Sequence, residues 1–282
     1  MICTTTQFSY RKEKLVSNLE EVEGIVLSVR KHKERDFLVK IFTNTHGKLM
    51  FFVRGSKKPT DSLRSAILPF SYGTYIADIR SDGLSFLRDV KDIHHFTSMQ
   101  TDIFKNAYAT YILSLLDAAL EDKIKNPGLF EQLKLGLSAI DEGEDPEIIM
   151  NIFEVRFLYH FGVMPNLNSC VFCGETQGKF DFSSVHNGIL CERHWVEDER
   201  RYQATARAVH FLRLFSILSF DRVGKITLKE ETKKEIRWLI DQIYEEYVGL
   251  HLKSKKFIDN MYKWEAVLKK RPAQKNGTEN EN

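Results

Sequence analysis

Hydrophobic and polar positions alternate along residues 22–93, as they do in half-buried β-strands. Turn-like pieces at 44–47 and 81–83 separate segments that are rich in β-branched and aromatic residues. The segments are VEGIVLSVR, DFLVKIFTN, GKLMFFVRG, YGTYIADIR and GLSFLRDVKDI. Five strands in about seventy residues predict an oligonucleotide-binding (OB) barrel, although a small SH3-like barrel fits the pattern nearly as well.

A different period begins near residue 98 and predicts a helical domain. Apolar residues such as Ile103 and Ala107 recur three or four positions apart, which places them on one helix face. Asn126 and Asp145 each precede a proline, and an N-cap residue followed by proline is typical of a helix start. The helix that follows Asp145 is expected to end at Gly162. Two further helices are predicted at 205–218 and 229–252.

Three of the four cysteines lie in two short motifs. Cys170 and Cys173 form a C-x2-C pair, and Cys191 and His194 form a C-x2-H pair after the intervening residues 174–190. This spacing is typical of a structural zinc site, in which three thiolates and one imidazole surround the ion tetrahedrally. The intervening sequence predicts a β-hairpin with its turn at Asn187-Gly188, which would bring the two pairs together.

Other interpretations of the cysteines are weaker. His186 or His210 could supply the fourth ligand, but neither has the spacing of the C-x2-H pair. A thioredoxin-like redox pair needs a neighbouring βαβ unit, and helices surround this motif instead. A zinc deaminase or hydrolase needs an open coordination position, which four protein ligands do not leave.

Composition is that of an ordinary globular protein, with 43% hydrophobic and 28% charged residues among 282. No apolar run approaches the roughly twenty residues that span a bilayer, so no membrane association is expected. The first residues lack the apolar core of a secretory signal, and clustered cysteines suit a reducing compartment. We therefore expect a cytoplasmic protein.

The net charge of +2 conceals an asymmetry between the two domains. Residues 22–93 contain 13 basic and 8 acidic residues, whereas residues 94–168 contain 5 basic and 11 acidic ones. Basic side chains alternate with aromatic ones in the barrel, a pattern that favours single-stranded nucleic acid. The alternative is an ordinary solvated surface with Phe42 and Phe52 in the core. The predicted DNA-binding residues are Arg30, Lys31, Lys33, Arg35, Lys48, Phe52, Arg54, Lys57 and Lys58.

Several motifs in one order resemble the RecO family of bacterial DNA repair and recombination proteins. They are EGIVLSVR, GKLMFFVRGSKKP, LRSAILPFSYGTY, NPGLFEQL, EDPEIIMNIFEVRFLYHFGVMP, CVFCGE and GILCERH. The resemblance covers about residues 22–250. Arg54, Lys57 and Lys58 match the basic segment that resembles the family's DNA-facing loop. His194 stands where many members have a fourth cysteine.

The resemblance implies an α+β protein with a five-stranded OB barrel and a helical domain that carries a zinc finger. It also implies a non-enzymatic mediator that binds single- and double-stranded DNA, anneals strands and associates with the nucleoid. Such proteins work with RecR, and often RecF, and help RecA load onto DNA coated by single-stranded DNA-binding protein (SSB). The absence of a G-x-x-x-x-G-K-[ST] phosphate loop agrees with this expectation.

Combining pattern and resemblance gives a division into six parts. We predict an N-terminal arm (1–21), the OB domain (22–93), a first helical part (94–168), a zinc-finger insertion (169–198), a second helical part (199–268) and a disordered tail (269–282).

One functional alternative and one partner site complete the expectations. A zinc-containing OB protein that binds RNA in translation or RNA processing would show the same barrel and metal motif. Within the family, a mediator also binds the acidic C-terminal tail of SSB. The basic helix after the insertion favours such a peptide over the acidic 94–168 region. The predicted peptide site is Arg207, His210, Arg213 and Phe215; alternatively Phe215 is core and the arginines are solvated.

Overall fold

The first five strands form a closed barrel through four antiparallel pairings and one parallel pairing. The computed structural model describes residues 19–55, 62–222 and 226–270. The order around the barrel is β1-β2-β3-β5-β4, and β4 pairs back to β1. The strands are β1 (Leu19–His32), β2 (Asp36–Thr43), β3 (Gly47–Val53), β4 (Ser71–Asp78) and β5 (Ser85–His95), with helix α1 (Ser62–Ala66) between β3 and β4. The predicted OB barrel is confirmed. Its strands begin before residue 22 and end after residue 93.

Strand alternation builds the barrel core as the sequence predicts. Leu49, Phe51 and Val53 of β3 are buried inside the barrel, while Phe52 lies half-buried on its outer surface. The buried Tyr75 hydroxyl donates a 2.9 Å hydrogen bond to the carbonyl of Ala66, so the end of α1 is fastened to the barrel core.

Seven helices follow the barrel within the described residues. They are α2 (Thr97–Thr101), α3 (Ile103–Ala119), α4 (Pro127–Glu142), α5 (Pro146–His160), α6 (Ala206–Ile217), α7 (Glu230–Ile243) and α8 (Lys253–Lys270). The carboxamide of Asn126 and the carboxylate of Asp145 accept backbone hydrogen bonds at the starts of α4 and α5, as predicted. Gly162 adopts a positive φ of 74° just after α5. No helix in this part of the chain has the length and apolar character needed to cross a bilayer.

The barrel packs directly on the helical domain. Phe42 of β2 is fully buried against Phe130 of α4, with ring centroids 5.8 Å apart. The Lys134 ammonium group lies 2.8 Å from a carboxylate oxygen of Glu23, and it also lies over the ring of Tyr72. For Phe42 the core interpretation is therefore correct.

Lys48 belongs to the same interface, and the prediction that it binds DNA is wrong. Its Nζ lies 2.8 Å from Asp117 Oδ1 and 3.3 Å from Asp122 Oδ1, and its side chain is only 3% exposed. It points away from the barrel core, as alternation requires, but the end of α3 covers that surface.

Some predicted features lie outside the described residues. These are the N-terminal arm up to residue 18, the basic residues Lys57 and Lys58, and the tail from residue 271.

Candidate functional site

A small insertion between α5 and α6 carries the cysteines. It contains the hairpin of β6 (Phe180–Ser183) and β7 (Gly188–Cys191), in which Phe180 pairs with Cys191. Asn187 adopts a positive φ of 46° in the predicted turn. Gly188 lies so close to the carbonyl of Asn166 that an ideal Cβ would stand 2.8 Å from it. The hairpin therefore holds Cys191 beside the segment that leads into the first cysteine pair.

The first pair forms a tight turn. The Cys170 amide donates to the carbonyl of Glu175 at 2.8 Å, and the Gly174 amide donates to the carbonyl of Cys170 at 2.9 Å. Gly174 has a φ of 70°, where a side chain would be strained. This turn directs Cys170 and Cys173 toward the end of β7.

The four predicted ligands converge on one point. Their ligand atoms all lie within 4.8 Å of one another. Cys173 Sγ is 3.7 Å from Cys191 Sγ, and His194 Nδ1 is 3.6 Å from Cys170 Sγ and 3.3 Å from Cys191 Sγ. Tetrahedral zinc with bonds of about 2.0–2.3 Å needs ligand separations of roughly 3.5–3.8 Å. The donor set and its spacing therefore fit a metal ion of this kind.

Electrostatics in the cluster favours the thiolate at Cys170 and Cys191. At Cys173 the backbone hydrogen bond at Glu175 is outweighed by burial and by hydrogen bonds with these two thiols, which raise its pKa. Burial opposes ionisation of Cys191, but hydrogen bonds with His194 and the other two cysteines outweigh it and lower its pKa to about 6. The pKa of Cys170 is also lowered, since backbone hydrogen bonds outweigh burial. The hydrogen bond with Cys191 raises the pKa of His194. A thiolate is the form that binds a metal.

The two alternative histidines lie outside this group. His186 Nε2 is 3.3 Å from the carbonyl of Glu197, and its ring contacts Phe172. His210 lies on α6 beside Phe211. Among the described residues, the convergent set contains His194 instead.

Arg213 braces the insertion against α6. Its Nε donates to the carbonyl of Leu167 at 2.9 Å, and its Nη2 donates to the carbonyls of Asn168 and Thr176 at 2.9 and 3.1 Å. Its guanidinium also lies 4.6 Å from the centre of the Phe180 ring. The side chain therefore fixes both flanks of the first cysteine pair.

These contacts correct the predicted peptide site. Phe215 has no exposed surface, because it packs in the helical core, and Nε and Nη2 of Arg213 donate to three carbonyls of the insertion. Arg207 contacts Thr232, and His210 is exposed. The four residues do not form an apolar pocket rimmed by free guanidinium groups.

A second candidate site lies on the outer surface of the barrel. The pairing register aligns Arg30 of β1 with Leu38 of β2, Leu38 with Phe52 of β3, and Phe52 with Phe86 of β5. Arg30 is exposed and the other three are half-buried, so they form one continuous row, here called the aromatic row. OB folds use the face of their second and third strands, with the flanking loops, to bind oligonucleotides.

The β1–β2 loop adds positive charge at one end of the row. Lys33 and Arg35 are exposed there, as are Lys31 near the end of β1 and Arg54 just after β3. Gly55 brings the two segments together, because an ideal Cβ on it would stand 2.0 Å from the carbonyl of Arg35. The predicted residues Arg30, Arg35 and Arg54 therefore share one corner of the barrel.

The other end of the row was not anticipated from the sequence. Arg80 and Arg88 place their guanidinium carbons 4.3 and 5.0 Å from the centre of the Phe86 ring. Phe86 in turn lies 5.8 Å from Phe52, with the rings tilted by 59°. The sequence does show Phe86 between Arg80 and Arg88 around the 81–83 turn. Strand alternation alone, however, does not predict that Phe86 lies next to Phe52.

Comparison with known proteins places the chain in a family. Residues 18–96 match the profile described as "Recombination protein O N terminal", and residues 100–256 match "Recombination protein O C terminal". The chain is 56% identical over 257 residues to the "DNA repair protein RecO" of Enterococcus faecalis, covering 91% of this chain and 98% of that protein. The proteins of the same name from Ligilactobacillus salivarius and Levilactobacillus brevis are 46% and 42% identical, over 89% and 90% of this chain and 97% and 98% of theirs. The chain therefore belongs to the RecO family of DNA repair proteins.

Proposed function

We propose that the protein is a non-enzymatic recombination mediator that binds single- and double-stranded DNA through the aromatic row and its flanking loops. In this role it anneals complementary strands and, with RecR and often RecF, helps RecA load onto SSB-coated DNA. The observation that carries the proposal is the row from Arg30 to Phe86 on the face that OB folds use for binding, with basic side chains near both ends.

The charge of this face supports DNA as the ligand. The exposed or half-exposed basic groups around the row are Arg30, Lys31, Lys33, Arg35, Arg54, Arg80 and Arg88. The acidic residues beside these groups are fewer: the exposed Glu34, Asp82 and Asp89, the half-buried Asp36, and Asp78, which pairs with Arg80 and Arg88. Neutralising phosphates releases counterions, so this excess of cations favours binding without regard to sequence.

We assign a structural zinc ion to Cys170, Cys173, Cys191 and His194. Their spacing suits Zn²⁺, and the set fills all four positions of a tetrahedral ion. A bound ion would tie the hairpin to the first cysteine pair and add its binding free energy to folding. A filled ligand set supports a structural role and a protein without a catalytic step.

Family membership supports the proposed partners. We propose that the helical domain receives the acidic C-terminal tail of SSB, at residues other than the buried Phe215. We further propose that the protein acts in the cytoplasm, associated with the nucleoid.

An annealing assay tests the mediator function. Two complementary DNA strands are each coated with SSB, mixed with the protein, and followed by a fluorophore–quencher pair. The protein should accelerate duplex formation on coated strands. An annealing rate equal to that without the protein would contradict mediation. If RNA strands of the same sequence anneal as fast as the DNA strands, the RNA-binding alternative is favoured.

A further inference from the structure

One end of the aromatic row is held by a buried carboxylate. Asp78 of β4 pairs with Phe86 across the sheet, and its side chain is only 7% exposed. Arg88 Nη2 donates to Asp78 Oδ2 at 3.0 Å, and Arg80 Nη2 lies 3.8 Å from the same oxygen. One carboxylate therefore orients two guanidinium groups beside the Phe86 ring.

The backbone around this end is fixed as well. The Arg80 amide donates to the hydroxyl of Ser85 at 3.2 Å, across the turn between β4 and β5. Ser85 is buried and pairs with Phe51 in the parallel register between β3 and β5. Phe86 is thus held at a defined place next to Phe52, and little ordering is needed when a ligand arrives.

The geometry points to a binding site for unstacked bases. We infer that Phe52, Phe86 and the guanidinium groups of Arg80 and Arg88 form a stacking platform that selects single-stranded over double-stranded DNA, with Asp78 as its positioning residue. The inference rests on the proposed DNA-binding function and assigns separate tasks to the two ends of the face.

The division of tasks follows from what each nucleic acid exposes. In a duplex the base faces are covered by their neighbours, so a protein surface reaches only phosphates, sugars and base edges. Single strands also offer base faces, which stack on aromatic rings and on guanidinium planes. The corner of Arg30, Arg35 and Arg54 can hold the phosphates of either form, whereas Phe52 and Phe86 can contribute only to single strands.

Replacing both rings by leucine tests the platform. Phe52→Leu/Phe86→Leu retains apolar side chains of similar bulk and leaves the charge unchanged. Stacking is worth about 1–3 kcal/mol per base, so affinity for a labelled single strand should fall at least about 5-fold. Affinity for a duplex of the same length should change less than about 2-fold, since phosphate contacts remain. Phe257→Leu, an exposed phenylalanine on α8, serves as the matched control.

A strand containing abasic sites distinguishes base stacking from a purely structural role of the two rings, which would not change the relative affinities for normal and abasic strands. It keeps the phosphates and removes the bases, so the wild type should bind it more weakly than the normal strand. The Phe52→Leu/Phe86→Leu variant should bind the normal and the abasic strand with equal affinity, because base stacking is lost when either the rings or the bases are absent.

Asp78→Asn tests the positioning residue, because the two explanations predict opposite changes in affinity for single-stranded DNA. The change removes one negative charge, and electrostatics alone would strengthen DNA binding. If Asp78 orients Arg80 and Arg88, single-strand affinity should fall instead. A thermal unfolding midpoint near that of the wild type ensures that a folded variant is compared.

Several results would overturn the inference and leave the proposed function standing. In the double-leucine variant, these results are an equal loss of affinity for single strands and duplex, or no loss of affinity for either. In Asp78→Asn, the contradicting result is tighter binding of single strands. Failure of the wild-type protein to bind either DNA would instead remove the proposed function itself.

Discussion

Lys48 of the barrel and Asp117 of α3 form an ion pair at which the two domains join. The Lys48 ammonium group lies 2.8 Å from Asp117 Oδ1, and Lys40 reaches the same carboxylate at 2.8 Å. Lys48 also donates to the backbone carbonyl of Asp117 at 2.5 Å. Asp117 and Asp122 together thus balance the charge of two lysines that would otherwise add to the charge of the barrel.

Asp117→Asn should destabilise the protein, because it leaves the buried Lys48 without its closest counter-charge. We expect a loss of about 2 kcal/mol in the free energy of unfolding, measured by urea titration. Lys48→Met should cost less, since an apolar side chain suits a covered site and Lys40 still pairs with Asp117. Asp92→Asn, at an exposed position of β5, is the control. Equal effects of Asp117→Asn and Asp92→Asn would contradict the ion pair's role.

The same pair predicts a pH dependence. Burial opposes the charge of Asp117, but hydrogen bonds from Lys40 and Lys48 prevail and lower its pKa below the ordinary value of 3.8. The stabilisation is therefore fully present above about pH 4 and disappears as the pH falls through the folded-state pKa. The stability difference between wild type and Asp117→Asn should shrink below that pH.

A second buried pair lies at the centre of the helical domain. Arg237 of α7 contacts Glu154 of α5, whose side chain is 1% exposed and also accepts a 2.8 Å hydrogen bond from the Tyr111 hydroxyl. Arg237→Met should cost about 3–5 kcal/mol, because it leaves a buried carboxylate unpaired. Adding Glu154→Gln should restore part of the loss in a double-mutant cycle. Additive losses would show that the two residues act independently.

Cys173→Ser should abolish metal binding. The wild type should contain about one zinc per chain by elemental analysis, and the variant should contain almost none. Amide exchange should rise around residues 165–200, since the ion links the hairpin to the first cysteine pair. Cys3→Ser, which changes the cysteine outside the motif, should keep its zinc. A wild type without zinc, or full zinc in Cys173→Ser, would disprove the site.

The sequence predicted the elements that depend on local chemistry. Strand alternation identified all five barrel strands, and the N-cap residues Asn126 and Asp145 identified the starts of α4 and α5. The zinc-type spacing and the predicted hairpin identified Cys170 and His194 as members of one cluster, because each short motif places its two ligands close together and the turn at Asn187-Gly188 joins the two motifs.

Features that depend on distant pairing were missed or misplaced. The sequence alone presents Lys48 as an outward-facing cation, but α3 covers it in the structure. It presents Arg213 as an exposed arginine, but the side chain donates to the insertion. Phe86 joins Phe52 only through the parallel pairing of β3 with β5, which links segments far apart along the chain. Helix α8 was not predicted as an element, and the helix predicted at 229–252 was extended past Gly249, whose left-handed backbone ends the preceding helical turn.

Salt-dependent titration of single-stranded DNA tests the central claim most directly. Arg30→Ala/Arg35→Ala/Arg54→Ala removes three cations from the barrel corner, and Lys234→Ala/Lys253→Ala/Lys256→Ala removes three exposed cations from the helical domain as a charge-matched control. The barrel variant should bind more weakly, and its slope of log K against log salt should flatten by about two units, at roughly 0.7 for each phosphate that the protein no longer neutralises. The helical variant should keep the wild-type slope. If the barrel variant retains wild-type affinity and slope, DNA does not bind at this face.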